Sequence, residues 1–415
     1  LFNLDPETAH DLAIKSLKFN PFPSKMFEVE DEQMLNIELL GKNFPNPIGL
    51  AAGFDKSAEA YNSLLKLGFG FVEVGTVTPL KQYGNPKPRI FRLENDQALI
   101  NRLGFNNDGM EKIKTRIISE KKKGILGVNI GPNKETKDQK NDFCLGLKNF
   151  FDIADYITVN ISSPNTKGLR DFHDQEKLMD LMVALNKIKK DNGTNIPLLL
   201  KISPDINNSH IPEIADAAIK NNISAIILTN TTNGNRDNLT SELKDEEGGL
   251  SGDPLHQISN NMIKKFHKEL NNKIPIIGVG GINSGKSAFE KIMATLSLMH
   301  EKGIFLVPGT DMGGAFYLHR ELELFEQIGM SPAEVLKRGS FDMAQYLGHQ
   351  NRGAIEVGKT ADFFLTPGDP TQELKAIKSV AMVVTQGKFF YPTEVYPEFG
   401  ILPFTEIPNI TEHNQ

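Results

Sequence analysis

The feature that most constrains this chain is a series of seven short apolar runs, each closing on polar or glycine residues. They are "NPIGLAAGF", "FGFVEVGTVT", "ILGVNIG", "YITVNISS", "IPLLLKISP", "AIILTNTT" and "IPIIGVGGI". The runs are continuous in Val, Ile and Leu rather than alternating with polar residues, as expected of strands covered on both faces. Most intervals between them hold amphipathic segments of helical length, such as Gln175 to Lys190 and Ile211 to Asn221. This alternation predicts a parallel sheet wrapped by helices. Residues capable of chemistry sit at the C-terminal ends of the runs: Asp55 and Lys56, Thr76, Asn129, Asn160 and Ser163, Lys201, Asn230 and Thr231, Gly280 and Gly281. Ligand groups at those ends are the rule in a closed β/α barrel, so the expected fold is α/β, a (β/α)8 TIM barrel. Closure needs an eighth strand. "GIFLVPGTD", from Gly303 to Asp311, is the segment available for it, one helical stretch (Ser284 to Lys302) beyond the seventh run.

At 415 residues, the chain accommodates one barrel of about 250 residues with attachments at both ends. Residues 1–40 form a helical lead-in, 41–294 carry the seven runs, and 295–415 form a C-terminal part containing the substitute eighth strand. In the lead-in, "DPETAHDLAIKSLKF" predicts an amphipathic helix capped by Asp5, with Pro6 in its first turn. In the C-terminal part, "SPAEVLKRGSFDMAQYLG" predicts a helix, and "GAIEVGKTADFFLTPG" and "SVAMVVTQGKFFYP" predict short strands of a small β appendage. A net charge of −6 argues against nucleic acid as a partner. The single cysteine, Cys144, excludes a disulfide framework and a cysteine zinc site, and fits a reducing compartment.

Several motifs admit both a chemical and a plain structural reading. In "AAGFDKSAE", Lys56 could bind a carboxylate while Ala51, Ala52 and Gly53 let a flat ring approach the backbone; a tight turn with a solvated lysine is the alternative. "NRLGFNN", from Asn101 to Asn107, is either a hairpin over a site or an ordinary Asn/Gly turn. "NISSPNTKGLR" offers the amides of Asn160 and Asn165, Ser163 as a general base, and Gly168 as a lid hinge, against a polar loop with an Asx turn. A hydroxyl is a poor base and needs help from its surroundings. Lys201 at a strand end needs an anion, either a flavin or phosphate group or a structural ion-pair partner. "GVGGINSGKS" satisfies the P-loop pattern, but its place as the seventh repeat favours the phosphate loop of a barrel. Asp311 could serve a metal, yet the nine histidines include no His-x-His pair, so no metal site is expected.

Through residue 294, the motifs "LDPETAH", "GLAAGFDK", "EVGTVTP", "PRIFRL", "INRLGFNN", "NIGPNK", "NISSPNTKGLR", "LLLKISPD", "TNTT", "GGLSGDPL" and "IIGVGGI" closely resemble the quinone-dependent (class 2) dihydroorotate dehydrogenases. The resemblance implies a β/α barrel that binds FMN and oxidises dihydroorotate to orotate in pyrimidine (UMP) synthesis. It implies electron transfer to ubiquinone or menaquinone, and peripheral attachment to the cytoplasmic side of the cell membrane through the N-terminal helices. Ser163 would take the C5 proton. Lys56, Asn101, Asn160, Asn165, Asn230 and Thr231 would hold the substrate, with Arg102, Leu103, Gly104 and Phe105 lying along it. FMN would contact Ala52, Gly53, Phe54, Asp55, Lys56, Thr76, Asn129, Asn160, Lys201, Thr229, Gly252 and Gly281.

The resemblance stops near Thr295. The family's Gly-Ala strand, which holds the FMN phosphate, is absent. Residues from about 295 to 400 instead resemble the C-terminal end of amidohydrolases of the imidazolonepropionase and cytosine deaminase type, through "VPGTDMGG", "GAIEVGKTADFFL" and "VVTQGKFFYP". Asp311 near a phosphate dianion would repel it, by about 1 kcal/mol at 4 Å in bulk water, so weaker FMN binding is expected. A metal-dependent amidohydrolase and an inactive chimera are the alternative functional readings.

Overall fold

The computed structural model describes residues 3–19, 35–166, 168–234, 236–301, 305–308, 315–403 and 405–408. The chain divides into two compact units, Leu1–Lys291 and Ile292–Gln415.

The first unit is built on a seven-stranded sheet: β1 (Gly49–Leu50), β2 (Phe71–Val77), β3 (Ile125–Ile130), β4 (Tyr156–Asn160), β5 (Leu198–Ile202), β6 (Ala225–Leu228) and β7 (Ile276–Gly278). Every pairing is parallel, and neighbours in the chain are neighbours in the sheet. Helix α1 (Pro6–Phe19) precedes the sheet. The connecting helices are α2 (Tyr61–Lys66), α3 (Met110–Ser119), α4 (Gln139–Phe150), α5 (Gln175–Asp191), α6 (His210–Lys220) and α7 (Leu255–Leu270), with α8 (Gly285–Glu301) after β7. The seven predicted runs are thus the seven strands of a TIM-barrel-type α/β fold.

The two faces of the sheet differ, as the two-residue period of a strand requires. Val72, Val74, Leu126, Val128, Ile157, Val159, Leu198 and Leu200 face outward and share one buried cluster with helix residues such as Ile113, Leu147, Leu181 and Ile263. The inward face starts apolar, with Tyr156, Leu199, Ala225 and Ile227 buried against Phe71 and Ile125. Towards the C-terminal ends it turns polar: Glu73, Asn129, Thr158, Asn160, Lys201 and Thr229 are all buried. Gly127 leaves the space that the Tyr156 ring fills, and Gly49 does the same for Phe71.

Asp5 caps α1 by accepting the Thr8 backbone N–H at 2.9 Å, as predicted. Beside the mouth, strands Ile90–Leu93, Ala98–Asn101 and Gly249–Gly252 form an antiparallel sheet, with Asn101 opposite both Ile90 and Gly249. Of the segment expected as the eighth strand, residues 305–308 are described and form no strand. Gly303, Ile304 and residues 309–311, including Asp311, lie outside the described residues, as does Lys167 in the "NISSPNTKGLR" loop.

In the second unit, helix Ala315–Gln327 is followed by helix Pro332–Lys337, which opens with a capping box between Ser331 and Glu334. The helix expected over Ser331 to Gly348 is interrupted by a π turn at Arg338–Asp342 before resuming at Met343–Tyr346. The predicted β appendage is a three-stranded antiparallel sheet of Phe363–Leu365, Met382–Thr385 and Lys388–Phe390.

Candidate active site

The site residues converge where the strands end. Ser163 is buried in the loop after β4, and its Oγ accepts the Asn165 backbone N–H at 3.3 Å. Asn165 Nδ2 donates to the Asn101 carbonyl at 3.3 Å, joining that loop to the antiparallel sheet. Gly249 has no room for a Cβ against Thr231 and lies near Pro164, so the loops after β4 and β6 meet the third strand of that sheet. Asp205, after β5, ties the same loops together: its carboxylate accepts from Thr232 Oγ1, from the Asn233 N–H at 2.9 Å and from Arg170 at 3.0 Å.

Side-chain amides fill the floor. Thr76 Oγ1 donates to Asn129 Oδ1 at 2.7 Å and accepts from Asn160 Nδ2 at 2.9 Å. Asn160 Oδ1 accepts from Ser162 Oγ at 2.7 Å, and Asn230 Nδ2 donates to Ser162 Oγ at 2.8 Å. Asn230 Oδ1 accepts the Thr231 N–H at 2.7 Å, and Thr229 Oγ1 donates to the Asn230 carbonyl at 2.8 Å. Thus Asn101, Ser163, Asn165, Asn230 and Thr231 surround one space, floored by Thr76, Asn129 and Asn160.

Two lysines sit at the C-terminal ends of strands, Lys201 at the end of β5 and Lys56 in the loop after β1. Lys201 is buried in register with Asn160, and among the described residues its amine has neither a hydrogen bond nor an ion pair. Burial lowers its pKa, and the Glu73 carboxylate opposes the fall. Lys56 likewise has no partner among the described residues. Burial pulls its amine down to about 8, with Glu7 favouring the charged form and Arg89 opposing it.

The fit to a flavin nucleotide rests on these features. A buried, unpartnered ammonium needs an anionic or carbonyl acceptor, and Lys201 is such a donor. A Cβ on Gly53 would meet nothing within 4 Å, leaving open space above β1 for a flat ring. At the other end, Gly281 has φ +68° and packs on His256, so its backbone turns at the loop after β7. The described residues at the strand ends fit the ring of a flavin such as FMN.

Other predicted site residues have structural duties. Both Asp55 oxygens accept backbone N–H groups, from Glu59 and Ala60 at 2.8 Å each, so its side chain holds the turn into α2. Arg102 pairs with Glu246 at 2.7 Å and lies over the Phe91 ring. Leu103 and Gly104 present carbonyls to Asn85 and Gln82. Phe105 packs near Gly131 and Thr76, and the Phe54 ring meets His10 edge-on at 5.0 Å. Gly252 has no space for a Cβ against the Gln97 carbonyl. Lys286, the lysine of the P-loop pattern, has a side chain 85% exposed beside Glu290, and Ser287 Oγ accepts from the Asn283 and Ser284 N–H groups at 3.0 Å. Glu73, Ser162 and Asp205 belong to the site region and were not singled out in the sequence. Glu73 alone carried a signal: it is a charge inside an apolar run.

Beside Lys56, a cavity of about 510 Å³ opens between α1 and the loops after β1 and β2, lined by His10, Ile14, Phe54, Lys56, Tyr83 and Leu103.

The sequence model of the family described as "Dihydroorotate dehydrogenase" matches residues 34–306. A dihydroorotate dehydrogenase (quinone) of Bartonella tribocorum is 46% identical over 303 residues, 72% of this chain and 83% of that protein. One from Bartonella henselae is 44% identical over 331 residues, 79% and 90% of the two chains. Among solved structures, ligand-free DHODH from Eimeria tenella superposes with a TM-score of 0.67 at 36% identity, covering 78% of this chain and 96% of that one. The Eimeria tenella DHODH complex with ferulenol gives the same TM-score at 39% identity, covering 70% and 84%. This chain belongs to the dihydroorotate dehydrogenase family.

Proposed function

We propose that this protein is a dihydroorotate dehydrogenase (quinone), an oxidoreductase that converts (S)-dihydroorotate to orotate in pyrimidine biosynthesis. The observation that carries this reading is the convergence of Ser163, Asn101, Asn165, Asn230 and Thr231 near the buried amine of Lys201, which has no partner among the described residues. The asparagine amides suit the ring amides of the substrate, and Lys56 its carboxylate. Ser163 Oγ takes the proton leaving C5. FMN, when bound, supplies the two-electron acceptor for the hydride leaving C6. Ala52, Gly53, Thr76, Asn129, Asn160, Lys201, Thr229, Gly252 and Gly281 are the residues that would hold it, with Lys201 offsetting charge on the reduced ring.

The electrons pass to ubiquinone or menaquinone. The cavity between α1 and Lys56 supports an entry for the quinone there. Among the described residues, no helix is long and apolar enough to cross a membrane. Leu12 and Phe19 of α1 are exposed, which supports peripheral attachment through this helix to the cytoplasmic face of the cell membrane. We read residues 1–40 as the membrane and quinone segment, 41–294 as the FMN-binding barrel, and 295–415 as amidohydrolase-like. The small antiparallel sheet around Met382–Thr385 supports the last assignment. Neither the family match nor the relatives support a metal-dependent amidohydrolase as the activity.

The test is dihydroorotate-dependent reduction of a soluble quinone by the purified, FMN-supplemented protein. Turnover supports the proposal, and its absence with folded, flavin-loaded protein refutes it.

A further inference from the structure

Five hydrogen bonds in the barrel mouth run in one direction. Asn230 Nδ2 donates to Ser162 Oγ at 2.8 Å, and Ser162 Oγ donates to Asn160 Oδ1 at 2.7 Å. Asn160 Nδ2 donates to Thr76 Oγ1 at 2.9 Å, and Thr76 Oγ1 donates to Asn129 Oδ1 at 2.7 Å. Asn129 Nδ2 then donates to Glu73 Oε1 at 2.8 Å. The chain ends on a buried carboxylate whose second oxygen accepts from Thr158 Oγ1 at 2.8 Å.

An asparagine amide can face either way, and a hydroxyl can rotate, so most links carry no inherent direction. Three fixed groups supply it. Both Glu73 oxygens accept, one of them from Thr158 Oγ1, so Asn129 turns its NH2 towards the other. The Ser162 backbone N–H can only donate, and it points at Asn160 Oδ1 at 3.2 Å. The Thr231 N–H likewise points at Asn230 Oδ1 at 2.7 Å. All three demand the same orientation, so the chain is unfrustrated from end to end. Bonds aligned in this way polarise one another, most strongly where one end is charged.

We propose that Glu73 is a positioning residue. By ending this chain as its acceptor, it fixes the amide orientation of Asn129 and, through Thr76 and Ser162, reinforces those that the Ser162 and Thr231 N–H groups set at Asn160 and Asn230, and so holds the donors and acceptors that the site presents to the substrate. This rests on the dihydroorotate dehydrogenase reading above. Glu73 touches none of the space around Ser163; it acts through β3 and β4. Ser162, rather than its neighbour Ser163, is the hydroxyl that carries the chain across to β6.

The test measures orotate binding by calorimetry on FMN-saturated protein, which does not depend on turnover. Glu73→Gln keeps a carbonyl acceptor for Asn129, while its NH2 faces Thr158 Oγ1, which rotates to accept, so binding weakens no more than about threefold. Glu73→Leu removes the acceptor, and binding weakens about tenfold or more. Thr76→Val breaks the chain in the middle with almost no change of shape and gives the same loss. The double variant Glu73→Leu/Thr76→Val is no more than about twofold weaker than either single variant, because one break suffices, whereas independent sites would multiply their effects. Orotate affinity within twofold of wild type in Glu73→Leu, or multiplied losses in the double variant, overturns the proposal. Should Glu73→Leu not fold, Thr76→Val decides alone, and wild-type affinity there overturns it. Wild-type protein that binds no orotate refutes the functional reading itself; wild-type binding with unaffected variants refutes only the role of Glu73.

Discussion

Arg89 grips Glu7 with two parallel hydrogen bonds, from Nε to Oε2 at 3.0 Å and from Nη2 to Oε1 at 2.6 Å, and both side chains are buried. The remaining Arg89 nitrogen donates to the carbonyls of Tyr83 and Asn85 at 2.7 and 2.8 Å. One guanidinium therefore fastens α1 to the loop that precedes the antiparallel sheet, 82 residues away in sequence. Breaking a buried pair by removing one partner costs about 3–5 kcal/mol. Glu7→Ala should release α1 from the wall of the cavity beside Lys56. The expected result is a large loss of quinone-dependent turnover, with reduction of bound flavin by dihydroorotate retained in stopped flow. Equal loss of both half-reactions would refute this division of labour. Burial pushes the Glu7 carboxyl up, but the bonds to Arg89 outweigh it and leave the pKa below its ordinary value of 4.5. The contact thus stabilises the fold above that pH and is lost as pH falls through the lowered value.

Lys56 should appear in the pH profile. Burial brings its amine from an ordinary 10.5 to about 8. Only the ammonium form pairs with the substrate carboxylate, so kcat/KM should fall as pH rises through about 8. Lys56→Arg should remove that limb, because a guanidinium does not titrate there, at the expense of a higher KM. An unchanged alkaline limb in this variant would assign the limb to another group. For stability the sign is opposite: the unfolded chain binds the extra proton between about 8 and 10.5, so this residue's contribution rises with pH across that window.

Ser163 is the only hydroxyl proposed as a base. Ser163→Ala should reduce dihydroorotate oxidation by about 10²-fold or more, the scale of general-base contributions, with flavin content and orotate affinity nearly unchanged. Turnover near the wild-type level would remove Ser163 from the chemistry.

His173 predicts acid sensitivity. It closes the short 3-10 turn Leu169–His173 after the Ser163 loop, is buried, and its Nε2 has no partner among the described residues. Burial, with the Arg170 charge assisting, lowers its pKa from 6.5 to about 4. The unfolded chain therefore binds a proton that the folded chain refuses. Stability falls as pH drops from about 6.5 to about 4, by about 3 kcal/mol in all. Replacing His173 with Gln should flatten the fall of Tm across that window; an equally steep fall would place the acid sensitivity elsewhere.

The parallel strands were legible because each is a continuous apolar run closed by glycine or a polar residue, and Asp5 because its cap is local. The predicted ligand residues fall at strand ends because the barrel puts every C-terminal end on one rim. Glu73 was not legible: one acid inside "FVEVG" cannot show which partner it meets 56 residues on at Asn129 or 85 residues on at Thr158. The structural ties of Asp55 and Arg102 were not legible either, for related reasons. Asp55 reads as a strand-end ligand until both oxygens are seen on backbone N–H groups. The partner of Arg102, Glu246, lies 144 residues away.

The central claim is that the residues gathered around Ser163 and Lys201 form a working flavin-dependent dehydrogenase. The most direct test is the visible absorption spectrum of the purified, FMN-supplemented protein, recorded before and after anaerobic addition of dihydroorotate. The account predicts a yellow protein whose flavin band bleaches on addition. A protein that stays colourless after FMN is supplied and desalted, or a yellow one that does not bleach, would contradict it.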